Sequence, residues 1–380
     1  MKITQLFKDF SDSEKSGGIT LIVCTIISMV LANTALGGSY THFWHSSLGG
    51  QSIEYWINDG LMTIFFLLIG LELEREIYIG ELSKIKDALL PIIGAFGGMM
   101  IPAGAYLLLN MGTSTQSGAG IPMATDIAFA LGILSLLGSK VPISLKVFLT
   151  ALAVIDDLGA ILVIAIFYTK AIIWSNLFIA MGIFIFLIIL NRLKIRNLIP
   201  YLIGGFAMWV FMLHSGVHAT VTGVLLAFAI PFGNGDDKSS SYILQHFLHK
   251  PVAFIVLPLF ALANTAIMVN TDLREIIFQK FSLGISLGLI LGKPIGIFLF
   301  SFLAVKSGIC KLPTELNWKS IIGVGFLGGI GFTMSIFITL LAFDDFELQN
   351  QSKVTILIAS VIAAIIGFIS LSFSLKPQSK

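Results

Sequence analysis

The sequence has few charged residues for its length. Of its 380 residues, 12% are Asp, Glu, Lys or Arg and 56% are hydrophobic. Soluble domains usually contain about 25% charged residues, so this chain has too few to cover the surface of a soluble fold of its size. The shortage argues against a soluble protein and favours one that is embedded in a lipid bilayer.

Cysteine is also scarce. Cys24 lies inside an apolar run and Cys310 lies in a loop, and their separation provides neither a disulfide framework nor a metal-binding motif. The formal net charge is +2 and the basic residues are scattered between apolar blocks, which is not a pattern of nucleic-acid binding. We therefore expect no cofactor and no nucleic-acid partner.

Hydrophobic residues fall in long blocks. A helix needs about 20 residues to cross the hydrocarbon layer of a membrane, and these blocks approach or reach that length. The first block is too long for the core of a signal peptide, so we expect it to be retained as a span. The pattern predicts twelve spans near residues 19–36, 57–74, 88–110, 119–137, 145–169, 174–191, 197–213, 216–231, 250–269, 281–305, 320–342 and 354–375.

The distribution of Lys and Arg predicts the orientation of these spans. An even number of spans places both termini on the same side, and the segments on that side hold 18 basic residues. Lys293 lies within a span, and the opposite segments hold only four of the 23, namely Lys170, Arg274, Lys280 and Lys353. Because basic residues are retained on the cytoplasmic side during insertion, we expect both termini in the cytoplasm.

The longest outside segment, Gly37–Trp56, carries aromatic residues and a Gly49–Gly50 pair between short, partly alternating stretches. This pattern is typical of a small β-hairpin with Gly-Gly as its turn. An irregular loop with aromatic residues at the membrane interface fits the same residues equally well. Both interpretations stay open on the sequence alone.

Four ionisable residues lie deep inside predicted spans: Asp126 in the fourth, Asp156 and Asp157 in the fifth, and Lys293 in the tenth. A charge at the bilayer centre costs at least about 2.5–3.5 kcal/mol, so such a residue normally faces a partner or a cavity. A buried ion pair that merely holds helices together accounts for Lys293 and one aspartate. It leaves two acids, for which a water-filled cavity, a bound cation or protonation must compensate.

Asp156 and Asp157 are neighbours on one helix, so their side chains point about 100° apart and can serve different partners. Two adjacent carboxylates titrate as a coupled pair. Carboxylate oxygens bind either a proton or a small hard cation, and competition for one site couples the two fluxes. The pair therefore predicts exchange of protons for a cation.

Glycine interrupts two of the predicted spans. The fourth opens with Gly118–Pro122, and the eleventh has Gly328, Gly329 and Gly331 at its centre. Such glycines often serve only close helix packing. Here the two spans cross in opposite directions, which is typical of transporters built from inverted repeats. We expect their half-helix ends to meet near mid-membrane, with Asp126 and Lys293 compensating the helix dipoles.

Four motifs resemble those of the NhaA-type sodium/proton antiporters, in the same order, and the similarity runs from about Phe10 to Phe373. The resemblance implies an all-α polytopic membrane protein with twelve transmembrane helices, inverted repeats and discontinuous fourth and eleventh helices. It implies one antiporter domain over residues 1–380, with repeat halves near 88–169 and 281–375. The motifs are Ala124–Gly132, Leu152–Ala160, Leu291–Gly296 and Gly328–Ser335.

The resemblance also implies roles for the buried charges. Asp157 matches the main ion-binding carboxylate of that family, and Asp156 matches its neighbour, which exchanges a proton or pairs with Lys293. Thr125 and Asp126 match the pair at the break of the fourth helix. The implied protein is a transporter rather than an enzyme. It sits in the bacterial inner membrane and exports Na+ or Li+ for a larger number of protons, as a homodimer formed through a hairpin within Gly37–Trp56.

Activation at alkaline pH is a further implication of the resemblance. Glu72, Glu76, His218 and His246 match positions linked to the pH response. Without the resemblance, the two glutamates, spaced i,i+4 on one helix face, fit solvated charges at a helix end equally well, and a lone histidine near a helix start is more often structural. Gln245 stands where the family typically has glutamate, so the steepness or midpoint of the pH response is open.

Two other functions fit part of the pattern. A sodium-coupled symporter of an organic solute would also have discontinuous helices. An intramembrane aspartyl protease would also place aspartates on two spans, but the chain lacks the Gly-x-Gly-Asp element of those enzymes. The protease also gives the central Lys293 no role.

Overall fold

α-Helices dominate the computed structural model, which describes residues 2–169, 171–268 and 273–375. Of the basic residues that the predicted orientation uses, Lys170, Lys376 and Lys380 lie outside the described residues. The α-helices are α1 (Lys2–Ala32), α2 (Gly37–His45), α3 (Ile53–Tyr55), α4 (Met62–Tyr78), α5 (Ile85–Asn110), α6 (Ile127–Ser135), α7 (Ile143–Phe167), α8 (Trp174–Arg192), α9 (Leu198–Leu213), α10 (Val221–Ala229), α11 (Ser240–Pro251), α12 (Leu257–Asn264), α13 (Leu273–Ile277), α14 (Lys280–Leu287), α15 (Lys293–Lys306), α16 (Trp318–Gly328), α17 (Phe332–Ala342) and α18 (Phe346–Ser374).

Shorter helical segments of other types connect several of these elements. The 3₁₀ segments are Glu81–Ser83, Gln116–Met123 and Gly138–Lys140. The π-helical segments are Trp56–Leu61, Val252–Val256 and Gly288–Gly292. Each π segment runs directly into an α-helix, so the chain stays continuous through Ile53–Tyr78, Ser240–Asn264 and Lys280–Lys306.

Within the described residues, eight helices are long and apolar enough to cross a membrane. Two further pairs of helices pass the same test together but are bent, by 115° between Ser16–Ala32 and Gly37–His45 and by 47° between Trp318–Gly328 and Phe332–Ala342. If each bent pair is one span, the number rises to ten. The prediction of an all-α, multi-pass membrane protein is confirmed, whereas the number twelve stays a prediction.

Several predicted span boundaries differ from the helix bounds by four residues or more. The first helix ends at Ala32 rather than near 36, and the helix predicted from 250 begins at Ser240. The last helix begins at Phe346 because Asp345 caps it, accepting a hydrogen bond from Leu348 N at 2.8 Å. Lys353, which the sequence placed in an outside loop, therefore lies inside α18 and is 2% exposed.

A β-hairpin occupies part of the segment between α2 and α3. Strand β1 (Ser47–Leu48) pairs antiparallel with β2 (Gln51–Ser52), and Ser47 faces Ser52. Gly49 and Gly50 form the turn with φ angles of 63° and 92°, which residues with a side chain rarely adopt. The hairpin interpretation is confirmed over these residues, and the rest of the segment is largely helical.

The chain forms two compact units. The first consists of Met1–Thr41, Lys84–Ala160 and Asn264–Lys380, and the second of His42–Ser83 and Ile161–Ala263. In the first unit α5 packs against α15 so closely that a Cβ at Gly97 would meet the carbonyl oxygen of Gly296, and the reverse holds at Gly296. In the second unit α4 packs against α10. Asp126, Asp156, Asp157 and Lys293 all belong to the first unit.

Candidate ion-binding site

Two interrupted helices meet inside the first unit. The 3₁₀ segment Gln116–Met123 contains Pro122 and ends in extended backbone at Ala124, and α6 starts only at Ile127. The second interruption separates α16 from α17 at the three residues 329–331. Asp126 N donates to Ile330 O at 2.6 Å, so the two interruptions are joined through their backbones.

Asp126 holds the first turns of both following helices. Its Oδ1 accepts from Phe129 N at 3.0 Å, in the first turn of α6. Its Oδ2 accepts from Thr333 N at 3.1 Å and from Thr333 Oγ1 at 2.6 Å, in the first turn of α17. The side chain is 2% exposed. One buried carboxylate therefore faces the positive ends of two helix dipoles, where a negative charge is stabilised.

Asp156 on α7 forms the second buried contact of the site. Its Oδ2 is paired with the ammonium group of Lys293, and both side chains are fully buried. Thr125 Oγ1 lies 2.6 Å from the same carboxylate oxygen and 2.8 Å from Gly328 O. A hydroxyl group has one proton, so Thr125 donates to one of these acceptors at a time. Among the described residues, Asp156 Oδ1 has no hydrogen-bond partner.

Asp157 follows on the same helix and is 1% exposed. Helical geometry turns its side chain about 100° from that of Asp156. The structure thus brings Thr125, Asp126, Asp156 and Lys293 together at the joined interruptions, with Asp157 adjacent in the chain. In residues 2–169, 171–268 and 273–375, no group of three or more His, Cys, Asp or Glu side chains is placed to hold a metal ion.

The four predicted pH-response residues belong to the second unit. Glu72 and Glu76 are half-buried on α4, and Glu72 lies within electrostatic range of Glu76 and Arg75. His246 is exposed on α11, where its ring stacks on Tyr242 with a centroid distance of 6.2 Å. His218 lies in the turn before α10. These residues are thus spread over three places in the second unit.

The sequence analysis missed three residues with polar contacts. Thr333 lies within one of the motifs and follows the glycine cluster, which was a usable signal. Glu74 is 4% exposed and accepts from Ser241 Oγ at 3.1 Å, and its position inside an apolar block was also a signal. Ser360 on α18 accepts from Gly331 N and Phe332 N at 3.2 Å each. Ser360 is one of five serines in α18, and nothing in the sequence distinguished it from the others.

The chain is similar to known membrane transporters over nearly its whole length. A protein similar over 376 residues at 73% identity is the Na+/H+ antiporter NhaA of Flavobacterium psychrophilum, and the match covers 99% of this chain and 98% of that protein. The Na+/H+ antiporter NhaA 1 of Flavobacterium johnsoniae is 64% identical over 375 residues, with 99% and 98% covered. The Na+/H+ antiporter NhaA of Cytophaga hutchinsonii is 61% identical over 376 residues, with 99% and 97% covered.

The family model described as Na+/H+ antiporter 1 matches residues 8–371, nearly the whole chain. The resemblance that the four motifs indicated is therefore confirmed. The chain belongs to the Na+/H+ antiporter 1 family of membrane transporters.

Proposed function

We propose that this protein exchanges Na+ for H+ across a membrane and that Asp156 and Asp157 are the residues for which the two ions compete. The observation that carries the proposal is the buried ion pair between Asp156 and Lys293 beside the joined interruptions of two helices. Membership in a family of Na+/H+ antiporters supports the exchange itself.

A count of charges supports the site. Asp126, Asp156 and Asp157 provide three carboxylates, and Lys293 provides one ammonium group, all at most 2% exposed. Each helix N-terminus carries roughly half a positive charge, so the two that face Asp126 offset about one carboxylate. Lys293 offsets a second. Among these groups about one negative charge is left over, and a buried charge is costly unless it is compensated. A proton or a monovalent cation supplies the missing charge.

Competition then couples the two ions. The site binds a cation only after it has released a proton, and it takes up a proton only after the cation has left. One proton offsets the remaining charge, and Asp156 can take up a second proton when it leaves its pair with Lys293, so that the site holds two protons in one state and one cation in the other. We propose on this basis that exchange is electrogenic, with more protons entering than sodium ions leaving, and that Li+ is a second substrate.

We propose the twelve-span topology in the bacterial inner membrane, with both termini cytoplasmic. The eight long apolar helices and the two bent pairs account for ten spans, and we assign the shorter α9 and α10, of 16 and nine residues, as the other two. In this topology the repeat halves lie near 88–169 and 281–375 of a single domain. The interrupted segments around Asp126 and Gly329 are then the fourth and eleventh spans and cross in opposite directions, as inverted repeats require.

Regulation and assembly complete the proposal. Glu72, Glu76, His218 and His246 are proposed to adjust activity to pH, and the hairpin of β1 and β2 is proposed to join two copies into a homodimer. The hairpin supports this role because it is a two-stranded sheet of largely exposed residues, and the outer edge of each strand is open to pairing with another strand.

The test uses a pH-sensitive dye in everted membrane vesicles, with Na+, Li+ and K+ added separately across a range of pH. We expect Na+ and Li+ to drive proton movement and Asp157→Asn to abolish it while the protein still inserts. Asp236→Asn, in an exposed loop, is the control and should behave like the wild type. Wild-type exchange by Asp157→Asn would remove the site assignment. Dissipation of the Na+ gradient only with an organic solute would show a symporter instead.

A further inference from the structure

We propose that Ser360 on α18 is a positioning residue for the ion site, acting through the interruption between α16 and α17. This inference rests on the proposed Na+/H+ exchange at Asp156 and Asp157. Ser360 does not contact either carboxylate in any hydrogen bond of the described residues. Its effect on the ion passes through the backbone at Gly331 and Phe332.

The contacts of Ser360 satisfy the start of α17. The first amides of a helix have no acceptor within the helix and need one from elsewhere. Gly331 occupies the N-cap position and has no side chain with which to accept them. Ser360 Oγ instead accepts from Gly331 N and Phe332 N at 3.2 Å each, and it is 3% exposed. A different helix thus supplies the cap, in a place where water does not readily replace it.

From the start of α17 the contacts lead to the ion site in two steps. Thr333, the next residue, donates its N–H and its hydroxyl to Asp126 Oδ2. Asp126 follows Thr125, whose hydroxyl lies 2.6 Å from Asp156 Oδ2. Displacement of the first turn of α17 therefore displaces Thr333 and, through it, Asp126. Thr125 moves with Asp126, and its hydroxyl group is the donor beside Asp156. Buried, closely packed groups transmit such displacements because few voids absorb them.

The position of Ser360 corresponds to that of the exchanging aspartate in the other repeat. In the first half, Thr125 at the interruption bonds to Asp156, which is 31 residues later on the following helix. In the second half, Gly331 at the interruption bonds to Ser360, which is 29 residues later on the following helix. Each half thus places a polar side chain of its third helix against its interruption. The first is ionisable, whereas the second is a neutral hydroxyl that can hold the backbone but cannot exchange a proton near neutral pH.

The test compares Ser360→Ala with a matched control, Ser352→Ala. Ser352 lies on the same helix and is fully buried, but its Oγ has no hydrogen-bond partner among the described residues. Purified variants in proteoliposomes are assayed for the Na+ concentration at half-maximal rate, the maximal rate and the melting temperature. For Ser360→Ala we expect the half-maximal Na+ concentration to rise about tenfold, which corresponds to about 1.4 kcal/mol. We expect Ser352→Ala to leave that concentration within twofold of the wild type.

A double-mutant cycle separates positioning from a general structural effect. Thr333→Val removes the hydroxyl group that links α17 to Asp126, and it should also raise the half-maximal Na+ concentration. Both changes act through the same contacts. The rise in the half-maximal Na+ concentration in the double variant should therefore be smaller than the product of the rises in the two single variants. Ser360→Thr retains the oxygen acceptor and should restore most of the Na+ affinity, whereas lost affinity from general loosening would not depend on that oxygen.

Ser360→Cys, which retains a weaker acceptor, should give an intermediate value and replaces Ser360→Ala if the latter is not recovered folded. An unchanged half-maximal Na+ concentration in the alanine or cysteine variant, or fully multiplicative effects in the double variant, would overturn the inference.

Wild-type protein is measured first in the same liposomes. If it shows no Na+-driven proton flux, the proposed function fails, whereas a fully active wild type with an equally active Ser360→Ala rejects only the role of Ser360.

Discussion

Removal of the charge on Lys293 tests the buried ion pair directly. Methionine is close to lysine in length and unbranched shape, so Lys293→Met removes the ammonium group and leaves almost no cavity. Lys293 and Asp156 are fully buried, and their pairing is thus shielded from solvent. Breaking a buried pair by removing one partner typically costs about 3–5 kcal/mol, because the other charge stays buried without compensation.

The contacts of Asp156 place the expected cost at the lower end of that range. Thr125 Oγ1, at 2.6 Å, can still donate to the carboxylate after the substitution. We therefore expect a loss of about 3 kcal/mol in the free energy of unfolding. At 2–4 °C per kcal/mol, this corresponds to a melting temperature lower by roughly 6–12 °C. The double variant Lys293→Met/Asp156→Asn removes both charges and should recover most of the loss, since a neutral replacement of a buried pair is often tolerated.

The assay is thermal unfolding in detergent at pH 7.5, followed by size-exclusion chromatography of the fraction that stays folded. All variants are compared in the same detergent and lipid, because bound lipid also changes the melting temperature. A melting temperature of Lys293→Met within 1 °C of the wild type would refute the ionised buried pair. If the double variant were less stable than Lys293→Met, the second substitution would add to the loss instead of recovering it. The interaction energy between positions 293 and 156 would then have the opposite sign to the expected one.

Three other predictions concern packing, charge and assembly. Gly97→Ala should destabilise the protein by about 1–3 kcal/mol in the same unfolding assay, because the added Cβ meets Gly296 O on α15. Gly104→Ala is the control on the same helix. Its added Cβ meets open space, so this variant should be neutral or slightly stabilised. Asp126→Asn cannot accept both hydrogen bonds from Thr333 together with the one from Phe129, so we expect a loss of about 2–3 kcal/mol and a reduced rate of Na+-driven proton flux. Replacement of residues 47–52 by a short flexible linker should shift the purified protein from dimer to monomer by light scattering while exchange in vesicles persists, and an unchanged mass would contradict the role of the hairpin.

The sequence predicted the long helices well where apolar blocks end at polar residues. The bounds of α5, α8 and α9 agree with the predicted spans within three residues, because the thickness of the bilayer sets their length. Prediction failed where a helix extends beyond its apolar block. At Ser240 and Phe346 polar helical turns precede the block, and a side-chain cap, rather than hydropathy, determines where each helix begins.

The residue types of the proposed ion site were predictable, but its contacts between the two helix interruptions were not. Buried charges are so costly that Asp126, Asp156 and Lys293 stand out in any apolar sequence. The contact between Thr333 and Asp126 joins residues 207 positions apart, and it depends on how two interrupted helices cross. The sequence left Lys293 two roles, at the helix ends and in an ion pair with an aspartate, and the structure shows the pair with Asp156. Local patterns do not determine such long-range pairings.

The double attachment of Asp126 has a mechanical consequence. A single side chain ties the starts of α6 and α17, and backbone contact between Asp126 and Ile330 ties the interruptions themselves. The two half-helices therefore cannot separate without exposing unsatisfied amides and a carboxylate to an apolar interior. We expect the crossing to travel as one rigid piece during each transport cycle, so that the ion is carried with its binding site and never meets a continuous open channel.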